Sequence, residues 1–175
     1  YGGVLRIAQS GDPISCDLPM SRGTGYRSVH PCSPMLSQIL TVSPKDHGVI
    51  VADLADEWEM SPNGEVWTFT IRENARWHDD SPVTASDLKF SLDRIISVPQ
   101  GLAIGRASPI ADYISSPDQI KVTEPNRLVI TTDFSAASFI VNISSVYVSV
   151  YPVTHTLDLQ PPSMVLHEQV VGSGP

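Results

Sequence analysis

A mixed α/β fold class follows from three observations in the sequence. The chain opens on a strand, an irregular stretch and a helix signal; a hairpin then feeds a capped helix; a second hairpin follows that helix. Strand, loop and helix in succession begin an α/β layer. Two hairpins flanking a helix add a largely antiparallel block to it.

A first strand is predicted over 4–9, and Gly11, Pro13, Gly23 and Gly25 then mark irregular backbone. A helix is predicted over 33–40, with Ser33 as N-cap and Pro34 at the first helical position. Ser61-Pro62-Asn63-Gly64 is a hairpin loop, because proline suits the second position of a type I turn and glycine the left-handed residue after it. Behind the loop, Trp67, Phe69 and Ile71 alternate with Thr68 and Thr70, the pattern of a half-buried strand. Thr84 stands three residues before Asp87, the acidic form of a capping box. Leu88, Leu92, Ile95 and Ile96 continue at helical spacing until Pro99. Strands over 120–123 and 128–132 enclose the turn Glu124-Pro125-Asn126-Arg127. Residues 136–144 read as a short helix and the β-branched run 146–150 as extended.

Composition excludes some partners. Eleven basic against nineteen acidic side chains leave a net charge of −8, unsuited to a phosphate backbone, so nucleic acid is not expected as a partner. The longest apolar runs fall far below the roughly 18 residues that suggest a membrane span. No signal peptide is visible, since the sequence begins at Tyr1-Gly2-Gly3 without a basic region and an apolar core. Cys16 and Cys32 are the only cysteines, and two readings of them stay open. A disulfide across their 16-residue separation would contribute ~3 kcal/mol by loop entropy; otherwise they are two small buried thiols. Zinc is not expected, since the pair lacks the close Cys/His spacing of structural zinc sites.

Local rules account for the hairpins and helix, yet they do not require Trp77-His78-Asp79 between them. Ala55, Trp58-Glu59, Ser61, Gly64, Thr68-Phe69, Ile71-Arg72, Trp77-His78-Asp79, Pro82, Thr84-Ala85, Asp87, Ser91 and Arg94 stand in fixed order. In this the chain resembles the extracellular solute-binding proteins of the peptide and nickel type, family 5, the receptors of ABC importers. Gly3-Val4-Leu5-Arg6-Ile7-Ala8 resembles the first strand of their mature chains, and Gly172-Ser173-Gly174-Pro175 their Gly-Thr-Gly-Pro element, with serine for threonine. One departure is Asp80, where the family usually has glycine.

The resemblance implies part of a periplasmic-binding-protein type II fold, namely the first part of lobe one, in an N-terminal fragment of a longer receptor. Residues 1–45 would begin the α/β core of that lobe, 46–152 would be its inserted mixed α+β subdomain, and 153–175 would return toward the core. The implied function is capture of oligopeptides or a similar small solute outside the cytoplasm, in the periplasm or as a cell-surface lipoprotein, for a membrane ABC permease. Closure of two lobes around the ligand would signal occupancy. The receptor would be a monomer without cofactor, and not an enzyme. An oligosaccharide, an opine or a nickel complex is the alternative ligand.

Candidate site residues divide by chemistry. Peptides of many sequences must be held through their backbone, which calls for exposed peptide groups and short hydroxyls. Ser21, Arg22, Gly23, Thr24 and Tyr26 supply such groups, and by resemblance their loop lies at the cleft lip; the same stretch also reads as a solvated surface loop. Trp58, Gly64, Arg72, Trp77, His78, Asp79, Thr84, Asp87 and Arg94 are expected to be structural. A hydrolase using His78 and Asp79 is the reading from another class. Adjacent residues project apart, however, and no nucleophile motif or second histidine at helical spacing accompanies them.

Overall fold

The computed structural model describes residues 8, 11, 13, 16–19, 26–97, 108–156 and 171–174. The expected first strand, apart from Ala8, lies outside these residues, as do Pro99 and the 157–170 segment. Helix α1 (Tyr26–Cys32) comes first, followed by an antiparallel ribbon of β1 (Leu40–Val42) and β2 (Ile50–Ala52). Strands β3 (Ala55–Met60) and β4 (Val66–Ile71) precede helix α2 (Ala85–Ser97); β5 (Ile120–Glu124), β6 (Arg127–Thr131), α3 (Phe139–Ile143) and α4 (Val153–Thr156) follow. The larger sheet is antiparallel in the order β3-β4-β6-β5.

Alternation in β4 decides which face of that sheet is buried. Trp67, Phe69 and Ile71 point inward beside Leu128 and Ile130 of β6, in a register that pairs Trp67 with Ile130 and Phe69 with Leu128. Leu88, Leu92 and Ile95 share one side of α2, and they join these residues, Trp77 and Phe139 in one core. Each such side chain contributes roughly 1.5–3 kcal/mol by leaving water. Glu57, Glu59, Thr68, Thr70 and Arg127 line an open groove on the other face, where Arg127 lies 3.4 Å from Glu59. The first hairpin closes as expected: Gly64 has φ +74° and its N–H donates to the Ser61 carbonyl at 2.8 Å.

Three local expectations are corrected. Only Ser33–Met35 of the expected 33–40 helix is helical, as a 3-10 turn, while the helix lies before it at Tyr26–Cys32. Backbone pairing overrides the cap signal here. Val150 N–H donates to Ser37 O (2.9 Å), Gln38 bridges Ser149, and Gln38 and Ile39 carbonyls accept from Leu54 and Ala55. The run 146–150 is not extended throughout, since Val146–Val148 forms a 3-10 turn in which the Tyr147 N–H donates to the Ser145 hydroxyl. The 136–144 helix shrinks to Phe139–Ile143, because Ala136 N–H is drawn to the Gly64 carbonyl at the first hairpin's tip (3.2 Å). The second hairpin turns at Glu124-Pro125-Asn126-Arg127 as expected, with Glu124 and Arg127 pairing as its corner residues.

Candidate functional site

The conspicuous motif residues gather into two fastenings rather than one pocket. The first is built on the loop after β4. Trp77 is buried in the main core and anchors the loop. His78 then meets the segment Gly172-Ser173-Gly174 almost a hundred residues away: its N–H donates to Gly172 O at 2.8 Å, and Gly172 N–H donates to its Nδ1 at 3.2 Å. With Nδ1 accepting, Nε2 carries the hydrogen and donates to Gly174 O at 2.9 Å. Gly174 N–H completes the clasp by donating to Met35 O at 3.1 Å. Both glycines are demanded by close approach: a Cβ at Gly172 would stand 1.7 Å from Met35 O, and one at Gly174 2.2 Å from Pro34 O.

The loop's turn has its own logic. Asp79 accepts from Ser81 N–H at 3.0 Å and from its hydroxyl at 2.6 Å. Asp80 takes φ +69°, the left-handed region where glycine has no steric penalty. Asp80→Gly is therefore expected to raise stability by up to about 1 kcal/mol, read as a higher urea midpoint at unchanged slope. A lower midpoint would mean that the aspartate side chain contributes more than its backbone costs.

The second fastening runs along α2. Thr84, Asp87, Ser91 and Arg94 follow at three- and four-residue steps and so share one face. The cap differs from the standard box. Asp87 Oδ2 accepts from both Thr84 N–H (2.8 Å) and Thr84 Oγ1–H (2.9 Å), so the threonine hydroxyl donates to the carboxylate rather than capping the helix N–H. Asp87 Oδ1 accepts from Val153 N–H at 2.9 Å, and the Ser91 hydroxyl accepts from Tyr151 N–H at 2.9 Å. Arg94 pairs with Asp17, whose side chain is 1% exposed, and its guanidinium lies 5.7 Å from the Tyr151 ring centre. The Tyr151 hydroxyl donates to Cys16 O at 2.8 Å and accepts from Leu18 N–H at 3.0 Å. Cys16 and Cys32 are joined in a disulfide beside it, so the disulfide is the form this structure takes.

Burial, and secondarily the Asp17 charge, pushes the Tyr151 phenol well above the ordinary value of 10.0. The folded form thus keeps its proton where an unfolded tyrosine loses it. Its contribution is complete below pH ~10 and is lost as pH rises beyond that. A stability profile should fall above pH ~10, and Tyr151→Phe should make that fall shallower; an unchanged slope would remove Tyr151 from the alkaline transition.

Arg72 reaches Asp53 at 3.5 Å across the β4 end. Burial raises the Asp53 carboxyl, against the Gln38 N–H (2.7 Å) and Arg72, which pull it down. Trp58 packs against the main core from β3. Of the expected ligand residues, Ser21, Arg22, Gly23 and Thr24 lie outside the described residues, and Tyr26 begins α1. Among the described residues no three His, Cys, Asp or Glu side chains gather as a metal site. The sequence pointed to neither Tyr151, Asp17 nor Met35. Their roles depend on partners more than fifty residues distant, and no local pattern encodes those.

A family model described as bacterial extracellular solute-binding proteins, family 5 Middle, matches residues 49–175. The chain belongs to this family. The matched span holds both ends of the His78 clasp and the whole of α2. Among relatives of family 5, the probable D,D-dipeptide-binding periplasmic protein DdpA of Escherichia coli (strain K12) is 32% identical over 117 residues, 66% of this chain and 22% of its own length. The dipeptide-binding protein DppE of Bacillus subtilis (strain 168) is 29% identical over 182 residues, 98% of this chain and 32% of its own. The crystal structure of Haemophilus influenzae OppA in complex with RPPGFSPFR superposes with a TM-score of 0.76 at 19% identity, covering 93% of this chain and 33% of that one. The chain thus spans about a fifth to a third of the length of these relatives. The likeness shows the fold, part of the periplasmic-binding-protein type II architecture.

Proposed function

We propose that this chain is part of the substrate-binding component of an ABC importer, a receptor that captures oligopeptides outside the cytoplasm and delivers them to a membrane permease. The observation that carries the reading is the family 5 match over 49–175, joined by relatives whose names specify dipeptide binding. Among the described residues no helix is long and apolar enough to cross a membrane. Residues 46–152 serve as the mixed subdomain of lobe one, and peptide contact falls to Ser21, Arg22, Gly23, Thr24 and Tyr26. The α2 fastening supports that assignment, because it holds Cys16, Asp17 and Leu18, which lead into the stretch. The receptor is not an enzyme in this reading: both ring nitrogens of His78 are occupied by Gly172 and Gly174, which supports a fastening role over an acid/base one.

Calorimetry on the full-length receptor with di- and oligopeptide mixtures tests the proposal. Binding at micromolar or better affinity is expected, weakened at least tenfold by Arg22→Ala or Tyr26→Ala. No peptide binding would overturn the ligand class, and binding unchanged in both variants would overturn the loop assignment.

A further inference from the structure

The disulfide sits in a core of its own. Cys16, Leu18, Cys32, Leu36 and Tyr151 form a buried cluster distinct from the main sheet-and-helix core, with the half-buried Tyr147 packed against both. Residues 16–19 carry no helix or strand; the disulfide, the Tyr151 hydroxyl between Cys16 O and Leu18 N–H, and the Asp17–Arg94 pair are among the ties that hold this segment. A segment without a backbone ladder opens at lower cost than a core strand. At the same time Cys16 is 3% exposed and Cys32 0%. Reduction begins with a thiolate attacking a disulfide sulfur, which such burial prevents in the closed state.

We propose that this cystine core opens as a unit separate from the main core, and that a dithiol reductant reaches Cys16–Cys32 only through that opening, which Tyr151 and Asp17 hold shut. The chemistry is ordinary exchange. One thiolate of the reductant attacks a cystine sulfur to form a mixed disulfide, and the second displaces it. The dithiol leaves as its cyclic disulfide, and two electrons and two protons stay on the cysteines as thiols. Reduction removes the only covalent tie on residues 16–18, so the segment shifts toward its open state while the sheet stands. The device is a redox-sensitive fastening, and it does not depend on which ligand the receptor binds.

The test exposes the full-length receptor to dithiothreitol under native conditions, alkylates at intervals and follows the Cys16 and Cys32 peptides by mass spectrometry. Tyr151→Phe and Asp17→Asn are each expected to speed reduction at least tenfold, with tryptophan fluorescence from Trp67 and Trp77 remaining native after reduction. Rates within twofold of the parent, or loss of the tryptophan signal together with the disulfide, would overturn the proposal. Should either variant fail to fold, the parent's urea dependence decides. A reduction rate rising far less steeply with urea than global unfolding does supports a separate opening, and an equal slope refutes it.

Discussion

Gly172→Ala is expected to cost about 3 kcal/mol of stability, at the upper end of what overpacking produces. A Cβ there would stand 1.7 Å from Met35 O and 3.1 Å from the His78 ring, and the first obstacle is backbone. Neither neighbour can turn aside cheaply. Met35 O is the acceptor for Gly174 N–H, and the His78 ring is held at both nitrogens, so relieving the clash means opening the clasp. The adjacent Ser173→Ala supplies the contrast. Among the described residues the buried Ser173 hydroxyl oxygen has no hydrogen-bond partner, so its removal should be neutral or mildly stabilising. Urea unfolding of the two variants reads the difference as a large midpoint drop for one and none for the other. Similar midpoints would mean that the 172–174 segment does not pack as described.

The contrast shows why the fold was only partly legible. Whatever depended on neighbours in sequence could be read: the Ser61–Gly64 turn, the alternation of Trp67, Phe69 and Ile71, the spacing of Leu88, Leu92 and Ile95. Ser33-Pro34 misled because its local signal for a helix start is real, and a 3-10 turn does form there. The next residues then surrender their backbone groups to Val150, Leu54 and Ala55. Periodicity carries no information about partners that far away. The same limit hid the work of the motif. Trp77-His78-Asp79 stood out as a loop with no local justification, since its justification lies at Gly172 and Gly174. Thr84, Asp87, Ser91 and Arg94 could be placed on one helix face, while the segments they hold, at Asp17, Tyr151 and Val153, could not be named in advance.

Arg94→Met is the second variant expected to be severely damaging, at about 3–5 kcal/mol, the cost typical of removing one partner from a buried ion pair. Side-chain exposure is 12% for Arg94 and 1% for Asp17, so water can do little to replace the guanidinium. The substitution also strips the cation from the faces of Phe90 and Tyr151, at 5.9 and 5.7 Å from their centres. Arg94→Lys keeps the charge yet loses the planar fork, and should fall between parent and Met. A double variant separates the two effects. If the damage is mainly an uncompensated Asp17 carboxylate, Asp17→Asn added to Arg94→Met recovers stability relative to Arg94→Met alone. If it is mainly lost packing on the rings, the second substitution recovers nothing and the losses add. Recovery is expected here, because the carboxylate is the more deeply buried member of the pair and desolvation weighs most on the charge that water cannot reach. A single-variant loss under 1 kcal/mol would show that Asp17 is not held by Arg94 in solution.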